Sequence, residues 1–139
     1  TILSENNQEF IIVDNFSNCK RDVVDRIEKI TKQKLSFYEC DIRDTQRLIK
    51  IIEKNKITSV IHFAALKSVS DSLRFPLEYY EVNVNGTISL LSAMKQTGVK
   101  KFLFSSSAAV YGEPEYLPVD EKHFTSAGWQ SGLQNCRQR

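Results

Sequence analysis

FLFSSSAAVYG, residues 102–112, joins a buried strand to an exposed run of hydroxyl groups. Its leading apolar residues predict the end of a parallel strand, Ser105–Ser107 follow at the carboxyl end of that strand, and a turn closes at Tyr111-Gly112. In open α/β sheets ligands bind outside the carboxyl ends of the strands, so hydroxyls at this position can contact a substrate. A Ser-rich loop that only caps the next element is the alternative, and the rest of the chain has to decide between the two.

The composition is that of an ordinary globular domain. The 139 residues are 41% hydrophobic and 26% charged, which allows a core and argues against compositional disorder. The net charge of +2, with acidic and basic residues interspersed, forms no basic stripe and argues against a nucleic-acid partner. No apolar run approaches the roughly 18 residues that span a bilayer, and residues 1–10 do not resemble a signal peptide, so we expect no membrane association.

The three cysteines, Cys19, Cys40 and Cys136, are odd in number and far apart, and they form no CxxC pair. This pattern predicts reduced thiols rather than a disulfide framework, and it provides no metal site. We therefore expect a cytoplasmic protein that binds no metal.

Short apolar runs alternate with helical patterns along most of the chain. Apolar residues at helical spacing occupy residues 23–30, Asp44 can cap a second helix, and Pro76 suits the first turn of a long helix that Gly98 ends. The predicted strands are residues 10–14, 35–40, 59–64 and 101–105. Strands that alternate with helices form a parallel sheet with right-handed crossovers, so the predicted fold class is α/β, a doubly wound parallel sheet of the Rossmann-like type.

Glycine is absent before Gly86, so no phosphate-binding glycine loop follows any of the first three predicted strands. Asp14 nevertheless ends its strand where a dinucleotide-binding fold places the acid that binds the ribose hydroxyls, about 20 residues after such a loop. Counting back from Asp14 passes the first residue of the chain. We therefore expect residues 10–14 to be the second strand of the fold, with the first strand and the C-terminal strands lacking. An ordinary strand-end Asp in a flavodoxin-like domain is the alternative.

The expected gap in the sheet has a consequence for stability. In the strand order 3-2-1-4-5 the first strand lies between the second and the fourth, so its loss exposes the backbone edges of residues 10–14 and 59–64. Buried unpaired backbone groups cost about 1–3 kcal/mol each, against a net domain stability of about 5–15 kcal/mol. We expect the chain alone to be unstable or to aggregate through these edges.

The end of the chain differs in composition from the rest. From Phe124 onward it has little apolar periodicity, no acidic residue and several Gln. We interpret residues 124–139 as a divergent, disordered tail.

Five segments carry a resemblance to a known family: VDNFSN (13–18), CDIRD (40–44), VIHFAALKSVSDS (60–72), PLEYYEVNVNGT (76–87) and VKKFLFSSSAAVYG (99–112). Together they resemble the extended short-chain dehydrogenase/reductase family and, within it, the NAD-dependent epimerases of nucleotide sugars. The resemblance implies that residues 1–123 form a partial NAD-binding Rossmann domain. It also implies a UDP-sugar substrate and, for the full-length family member, a homodimer.

The resemblance implies NAD rather than NADP, because a carboxylate after the second strand favours free ribose hydroxyls over a 2′-phosphate. Asp14 corresponds to the acid that holds the adenosine ribose, and Lys67 to a residue near the cofactor ribose and the substrate. The other implied cofactor-binding positions lie on the loops after the strands and in the long helix: Asn15, Asn18, Asp41, Ile42, Phe63, Ala64, Ala65, Leu66 and Asn83. For Asn83 the alternative is that a mid-helix Asn braces the neighbouring loop.

The activity that the resemblance implies is the interconversion of UDP-glucose and UDP-galactose through a 4-keto intermediate with bound NAD. Ser107 corresponds to the catalytic serine that hydrogen-bonds the sugar O4 while a tyrosine removes its proton. That tyrosine needs a lysine four residues later, which lowers the phenol pKa from about 10 toward working pH. None of the five tyrosines in this chain has a lysine at that spacing, so we expect the chain alone to be inactive.

Two other interpretations stay open. The first is a nucleotide-sugar dehydratase or decarboxylase of the same family, although we expect a dehydratase to carry an acid pair where Ala108 and Ala109 follow the serines. The second is a non-enzymatic truncated product that pairs with another chain or regulates a full-length copy.

Overall fold

The structure, a computed structural model, describes residue 5 and residues 8–125. Strands alternate with helices in these residues. The strands are β1 (Ile11–Asp14), β2 (Ser36–Glu39), β3 (Ser59–His62) and β4 (Lys101–Phe104). The helices are α1 (Asp22–Thr31), α2 (Thr45–Lys54), α3 (Val69–Arg74), α4 (Pro76–Tyr79) and α5 (Gly86–Thr97), with a π-helical segment (Tyr80–Asn85) between α4 and α5 and a 3₁₀ turn (Ala108–Tyr111) after β4.

The four predicted strands form, each one or two residues shorter than its apolar run. β1 and β2 pair in parallel, from Ile11 opposite Ser36 to Asp14 opposite Glu39, and β3 pairs with β4. Within the described residues the two pairs form separate two-stranded sheets. These are the pairs that remain in the order 3-2-1-4-5 when its first strand is not among the described residues, so the α/β class and the pairing are as predicted.

The main core lies between α2 and α5. Asp44 begins α2 by accepting a hydrogen bond from the N–H of Arg47 at 3.0 Å, which confirms the predicted cap. The buried apolar residues are Cys40, Leu48, Ile51, Ile52, Leu90, Ala93 and Met94. Partly buried residues of all four strands, among them Val13, Tyr38, Val60 and Phe102, pack against this cluster. The two helices therefore hold in place the strands whose carboxyl ends carry the predicted site residues.

The helical region differs from the prediction in two ways. Pro76 and Gly98 begin and end the predicted long helix, Gly98 with a φ of 75°, but the backbone between them widens to π geometry over Tyr80–Asn85. A regular apolar period does not reveal such a widening. The short helix α3 is also not predicted. Ser68 caps it by accepting from the N–H of Asp71 at 3.3 Å, so the Ser-x-x-Asp spacing was the available signal.

The chain divides into two compact units, the first ending at Leu103 and the second beginning at Phe104. The predicted domain boundary at residue 123 stays a prediction. The predicted tail, residues 124–139, lies outside the described residues apart from Phe124 and Thr125. In the part of the chain that the structure describes, every helix is too short or too polar to cross a bilayer.

Candidate functional site

The loops after β1 and β2 contact each other at one edge of the first sheet. The Nδ2 of Asn15 donates to Oδ2 of Asp41 at 3.0 Å, and the N–H of Cys40 donates to the carbonyl oxygen of Asp14 at 3.0 Å. The carboxyl ends of parallel strands lie at the same edge of a sheet, which is where α/β proteins bind ligands. The predicted residues Asp14, Asn15 and Asp41 are therefore neighbours at such an edge.

Asp14 presents a carboxylate oxygen at the end of β1. Its Oδ1 accepts the N–H of Phe16 at 2.8 Å and the thiol of Cys19 at 3.8 Å, whereas Oδ2 accepts no hydrogen bond from the residues that the structure describes. Partial burial and the nearby carboxylate raise the pKa of the Cys19 thiol, so this group is a donor. Asn18, on the same loop, is exposed. The open Oδ2 is an acceptor of the kind that binds ribose hydroxyls.

Asp41 joins the two loops through a well-bonded carboxylate. Its Oδ1 accepts from the backbone N–H and from Nε of Arg43, both at 2.9 Å, and its Oδ2 accepts from Nη2 of Arg43 at 2.8 Å. The Arg43 guanidinium, more than any other group, holds the pKa of Asp41 well below its usual range. The carboxylate therefore stays ionised and orients Asn15. A direct contact of Asp41 with an adenine stays a prediction.

Ile42 packs against the first residue of α5. Gly86 is buried there, and a Cβ at this position would lie 2.6 Å from Cγ2 of Ile42. The helix can approach the loop this closely only because Gly86 has no side chain. Ile42 is half-buried, so it presents some apolar surface just after β2, where the sequence predicts the adenine.

Residues 63–67, which follow β3, are fastened to the π-helical segment by Asn83. Its Oδ1 accepts the N–H of Leu66 at 2.8 Å, and its Nδ2 donates to the carbonyl oxygen of Leu66 at 3.0 Å. Both ends of the amide contact the loop, which favours the bracing interpretation of Asn83 over a direct cofactor contact. Phe63, at 63% exposed, and Lys67 lie on the surface, whereas Leu66 is half-buried.

Ala64 of this loop is exposed and Ala65 is half-buried. Two side chains that the sequence did not single out form hydrogen bonds next to this loop or to Asn83. The hydroxyl of Tyr79 donates to the carbonyl oxygen of Ser68 at 2.7 Å, and the hydroxyl of Thr87 donates to the carbonyl oxygen of Asn83 at 2.6 Å. Both lie within residues 76–87, a segment that the resemblance covers, but its pattern does not tell which side chains face the loop.

The second unit begins with the three serines. Ser107 is exposed, and its carbonyl oxygen accepts the N–H of Val110 at 3.1 Å, which starts the 3₁₀ turn. Gly112 ends the turn with a φ of 63°, as the sequence predicts. An open depression of about 410 Å³ adjoins this turn and is lined by Ala108, Tyr111, Gly112, Pro114, Val119, Asp120 and Glu121.

His123, to which the sequence assigned no role, organises this unit. It is 5% exposed, and its Nε2 accepts the N–H of Glu115 at 3.0 Å. The rings of Tyr111 and Tyr116 pack on it at centroid distances of 5.7 Å and 4.8 Å. The hydroxyl of Tyr116 donates to Oδ1 of Asp120 at 2.7 Å. A single histidine in an irregular segment gave no sequence signal of these partners.

The structure thus brings together two sets of predicted residues in the first unit, Asp14 and Asn15 with Asp41, and Leu66 with Asn83, whereas Ser107 lies in the second unit. Among residue 5 and residues 8–125 no group of three or more His, Cys, Asp or Glu side chains could hold a metal ion. Cys19 and Cys40 carry free thiols.

Comparison with known proteins adds a family model and named relatives. The model described as GDP-mannose 4,6 dehydratase matches residues 1–128. The UDP-glucose 4-epimerase of Pasteurella multocida is 46% identical over 115 residues, which are 83% of this chain and 34% of that protein. The chain therefore spans about a third of the length of the curated relatives that it matches.

Solved structures have the same fold. A UDP-glucose 4-epimerase from Stenotrophomonas maltophila, with bound NAD and formylated UDP-arabinopyranose, superposes with a TM-score of 0.84 at 39% identity, over 97% of this chain and 41% of that one. A UDP-glucose 4-epimerase from Bifidobacterium longum, in complex with NAD+ and UDP, also gives 0.84, at 37% identity over 99% of this chain and 42% of that one. These likenesses confirm the Rossmann-like class.

Proposed function

The chain belongs to the family described as GDP-mannose 4,6 dehydratase, and on this premise we propose that it forms part of the NAD-binding domain of a UDP-glucose 4-epimerase. Two features support the choice of epimerase within the family. The curated relatives at about 46% identity carry that name, and Ala108 and Ala109 stand where we expect a dehydratase to carry acidic groups.

The observation that carries the proposal is the Asp14 carboxylate at the end of β1. Its Oδ1 is fixed by the N–H of Phe16, so Oδ2 keeps a defined direction and remains available as an acceptor among the described residues. Two vicinal ribose hydroxyls are donors that suit such an oxygen, and a 2′-phosphate would be repelled by it. The residues present therefore fit NAD better than NADP.

Other residues of the first unit fit the remaining parts of the cofactor. Asn15 and Asn18 lie on the loop that follows Asp14, and Ile42 offers half-buried apolar surface for the adenine. Phe63–Lys67 supply backbone groups and an exposed ammonium for the nicotinamide half. NAD, when bound, supplies the hydride acceptor for C4 of the sugar.

Ser107 is the residue of this chain that acts on the substrate in the proposed reaction. Its exposed hydroxyl donates to or accepts from the sugar O4 and holds that oxygen while its proton is removed. The proton acceptor is a tyrosine with a lysine four residues later, a pair that this chain does not contain. We therefore propose that the 139 residues alone do not catalyse the reaction. They also bind NAD weakly, because they have no glycine loop.

We further propose that the complete protein is a homodimer. Apolar side chains recur every three or four residues along the helical run that begins at Pro76, and each is at least 42% exposed: Leu77, Tyr80, Val84, Ile88 and Leu91. A stripe at this spacing suits helix-against-helix packing with a second copy. The free thiols of Cys19 and Cys40 support a reducing, cytoplasmic compartment.

The test begins with the transcript on both sides of this segment, followed by expression of the protein that it encodes. Asp14→Asn removes the ribose-binding charge, and Glu53→Gln removes one charge from an exposed residue of α2. Loss of a charged hydrogen bond costs about 1.5–3 kcal/mol, so we expect NAD affinity to fall roughly 10- to 100-fold in Asp14→Asn. In Glu53→Gln it should stay within about threefold. Equal effects of the two changes would overturn the assignment of Asp14.

The reaction is tested with UDP-galactose and with GDP-mannose as separate substrates. We expect conversion of UDP-galactose to UDP-glucose without loss of water. The description of the family model favours the dehydratase as the second candidate. A 4-keto-6-deoxy product, or a complete protein without a Tyr-x-x-x-Lys pair, would overturn the epimerase proposal.

A further inference from the structure

The residues on either side of the segment Phe63–Ala65 are hydrogen-bonded to one stretch of the helical region. At its far end, Leu66 exchanges two hydrogen bonds with the side chain of Asn83, at 2.8 Å and 3.0 Å. At its near end, His62 is the last residue of β3, and its Nε2 lies 3.0 Å from Oγ1 of Thr87. Only three residues separate the two ties, so the position of the helix fixes the course of the loop.

Thr87 connects the two ties to each other. Its hydroxyl donates to the carbonyl oxygen of Asn83 at 2.6 Å, and a hydroxyl has one proton to give. The same oxygen can then only accept from His62, which assigns the proton of the imidazole to Nε2. The resulting chain of bonds runs from His62 through Thr87 and Asn83 to Leu66.

The residues that form this chain of hydrogen bonds are buried or half-buried. His62 is 4% exposed, and its ring packs on that of Phe102 at a centroid distance of 6.1 Å. Asn83 and Thr87 are half-buried. Asn83 lies within the π-helical segment, a rare geometry that is frequently found at functional sites. A buried polar chain in which each link is bonded has one low-energy arrangement.

We propose that Thr87 and His62 are positioning residues for the cofactor loop Phe63–Lys67. The Thr87 hydroxyl fixes the helical turn that contains Asn83 relative to the end of β3, through its hydrogen bonds to Asn83 and His62. Asn83 in turn fixes Leu66 by hydrogen bonds. The placement of this loop beside the nicotinamide rests on the proposed function. The hydrogen-bonded chain itself rests on the distances alone, so the two can be tested separately.

The helix offers a matched control for the substitution of Thr87. The hydroxyl of Thr97 also donates to a carbonyl oxygen four residues earlier, that of Ala93 at 2.9 Å, and it has no histidine partner among the described residues. Thr87→Val and Thr97→Val therefore remove the same kind of helical bond, and only the first also removes the contact with His62. Thr87→Ser keeps the hydroxyl and serves as the rescue.

The first experiment is amide hydrogen exchange on the complete protein, read by NMR at Leu66. The amide of Cys40, which donates to the carbonyl oxygen of Asp14 at 3.0 Å, is the internal reference. We expect Leu66 to exchange about five- to tenfold faster in Thr87→Val, within twofold of the original rate in Thr87→Ser, and unchanged in Thr97→Val. Equal rates at Leu66 in the two valine variants would overturn the positioning role.

A second measurement needs no substitution and so does not depend on folding of a variant. The ¹⁵N spectrum of the imidazole reports which nitrogen of His62 carries the proton. We expect the neutral Nε2–H form, and the Nδ1–H form would overturn the chain of bonds.

The third measurement is NAD affinity in the complete protein, where we expect Thr87→Val to weaken binding about threefold or more and Thr87→Ser to restore it. Faster exchange at Leu66 with unchanged NAD affinity would keep the hydrogen-bonded chain but overturn the cofactor role of the loop. In that case loss of affinity in Asp14→Asn would still support the proposed function, because Asp14 does not belong to this chain of bonds.

Discussion

Gly86→Ala is the substitution for which the structure sets two opposing effects against each other. Gly86 lies at the first position of α5 with a φ of −59°, an ordinary helical value. Alanine therefore introduces no backbone strain, and helix propensity alone favours it by about 1 kcal/mol. Gly86 is also buried against Ile42, and the new Cβ would lie 2.6 Å from Cγ2 of that residue.

The steric effect is the larger of the two. Ordinary contacts of a Cβ lie at 3.4–4 Å, so the two groups must separate by about 0.8 Å or more. Cγ2 is bonded directly to Cβ of Ile42, and a β-branched side chain has few alternative rotamers, so it cannot simply swing aside. Overpacking of this kind costs about 1–3 kcal/mol. We expect Gly86→Ala to lower the free energy of unfolding by about 1 kcal/mol.

A double-mutant cycle in urea tests this reasoning. Ile42→Ala removes Cγ2, so in that background Gly86→Ala should raise the free energy of unfolding by up to about 1 kcal/mol, the helix-propensity effect alone. The sign of the effect thus reverses, and the coupling between the two positions is about 2 kcal/mol. A stabilising effect of Gly86→Ala in the complete protein with Ile42 intact, or a coupling near zero, would refute the close contact.

Three further predictions concern titratable groups. Since Arg43 lowers the pKa of Asp41 in the folded chain, the carboxylate stabilises the fold above about pH 4 and less as the pH falls below that value. Asp41→Asn should therefore make acid unfolding curves flatter below about pH 4. Burial lowers the pKa of His62, so the unfolded chain takes up a proton more readily, and stability should fall as the pH drops below about 6.5. His62→Gln should remove that slope from urea midpoints measured between about pH 7.5 and 5.5. His123→Phe deletes the acceptor of the Glu115 N–H, and exchange at that amide should quicken about fivefold.

Each of these has a control. Asp44→Asn changes a cap on the neighbouring helix, and the same flattening in that variant would contradict a specific role of Asp41. For His62, an unchanged pH slope in His62→Gln would show that another group is responsible. For His123, the neighbour Lys122→Ala should leave the Glu115 amide as it was, and faster exchange in both variants would contradict the specific bond.

The strands could be predicted because each is a short, largely apolar run bounded by polar or turn residues. Residues 10–14 and 101–105 showed this pattern, and each strand is one residue shorter than its run. The burial expected for residues 102–104 was wrong, because Leu103 and Phe104 are each 55% exposed. The pairing of β1 with β2 followed from the general strand order of doubly wound sheets. The helical run after Pro76 was predicted as one helix because Pro76 suits a first turn and Gly98 a helix end. The π segment Tyr80–Asn85 contains Asn83, which contacts Leu66, and neither the widening nor this tertiary contact is visible in the apolar spacing.

The residues of the candidate site could be predicted from the sequence only in part. Asp14 was placed by a rule that needs only one strand end, and it lies where that rule puts it. Asn83 and Thr87 could not be assigned in this way, because their roles depend on the position of α5 relative to β3. That position is set by tertiary packing. A pattern of Asn and Thr within residues 76–87 is equally compatible with side chains that face solvent. Their bonds to Leu66 and His62 exist because the close contact of Gly86 with Ile42 sets how near the helix comes. Gly86→Ala is therefore also a test of the loop, because a shift of the helix away from Ile42 should make the Leu66 amide exchange faster.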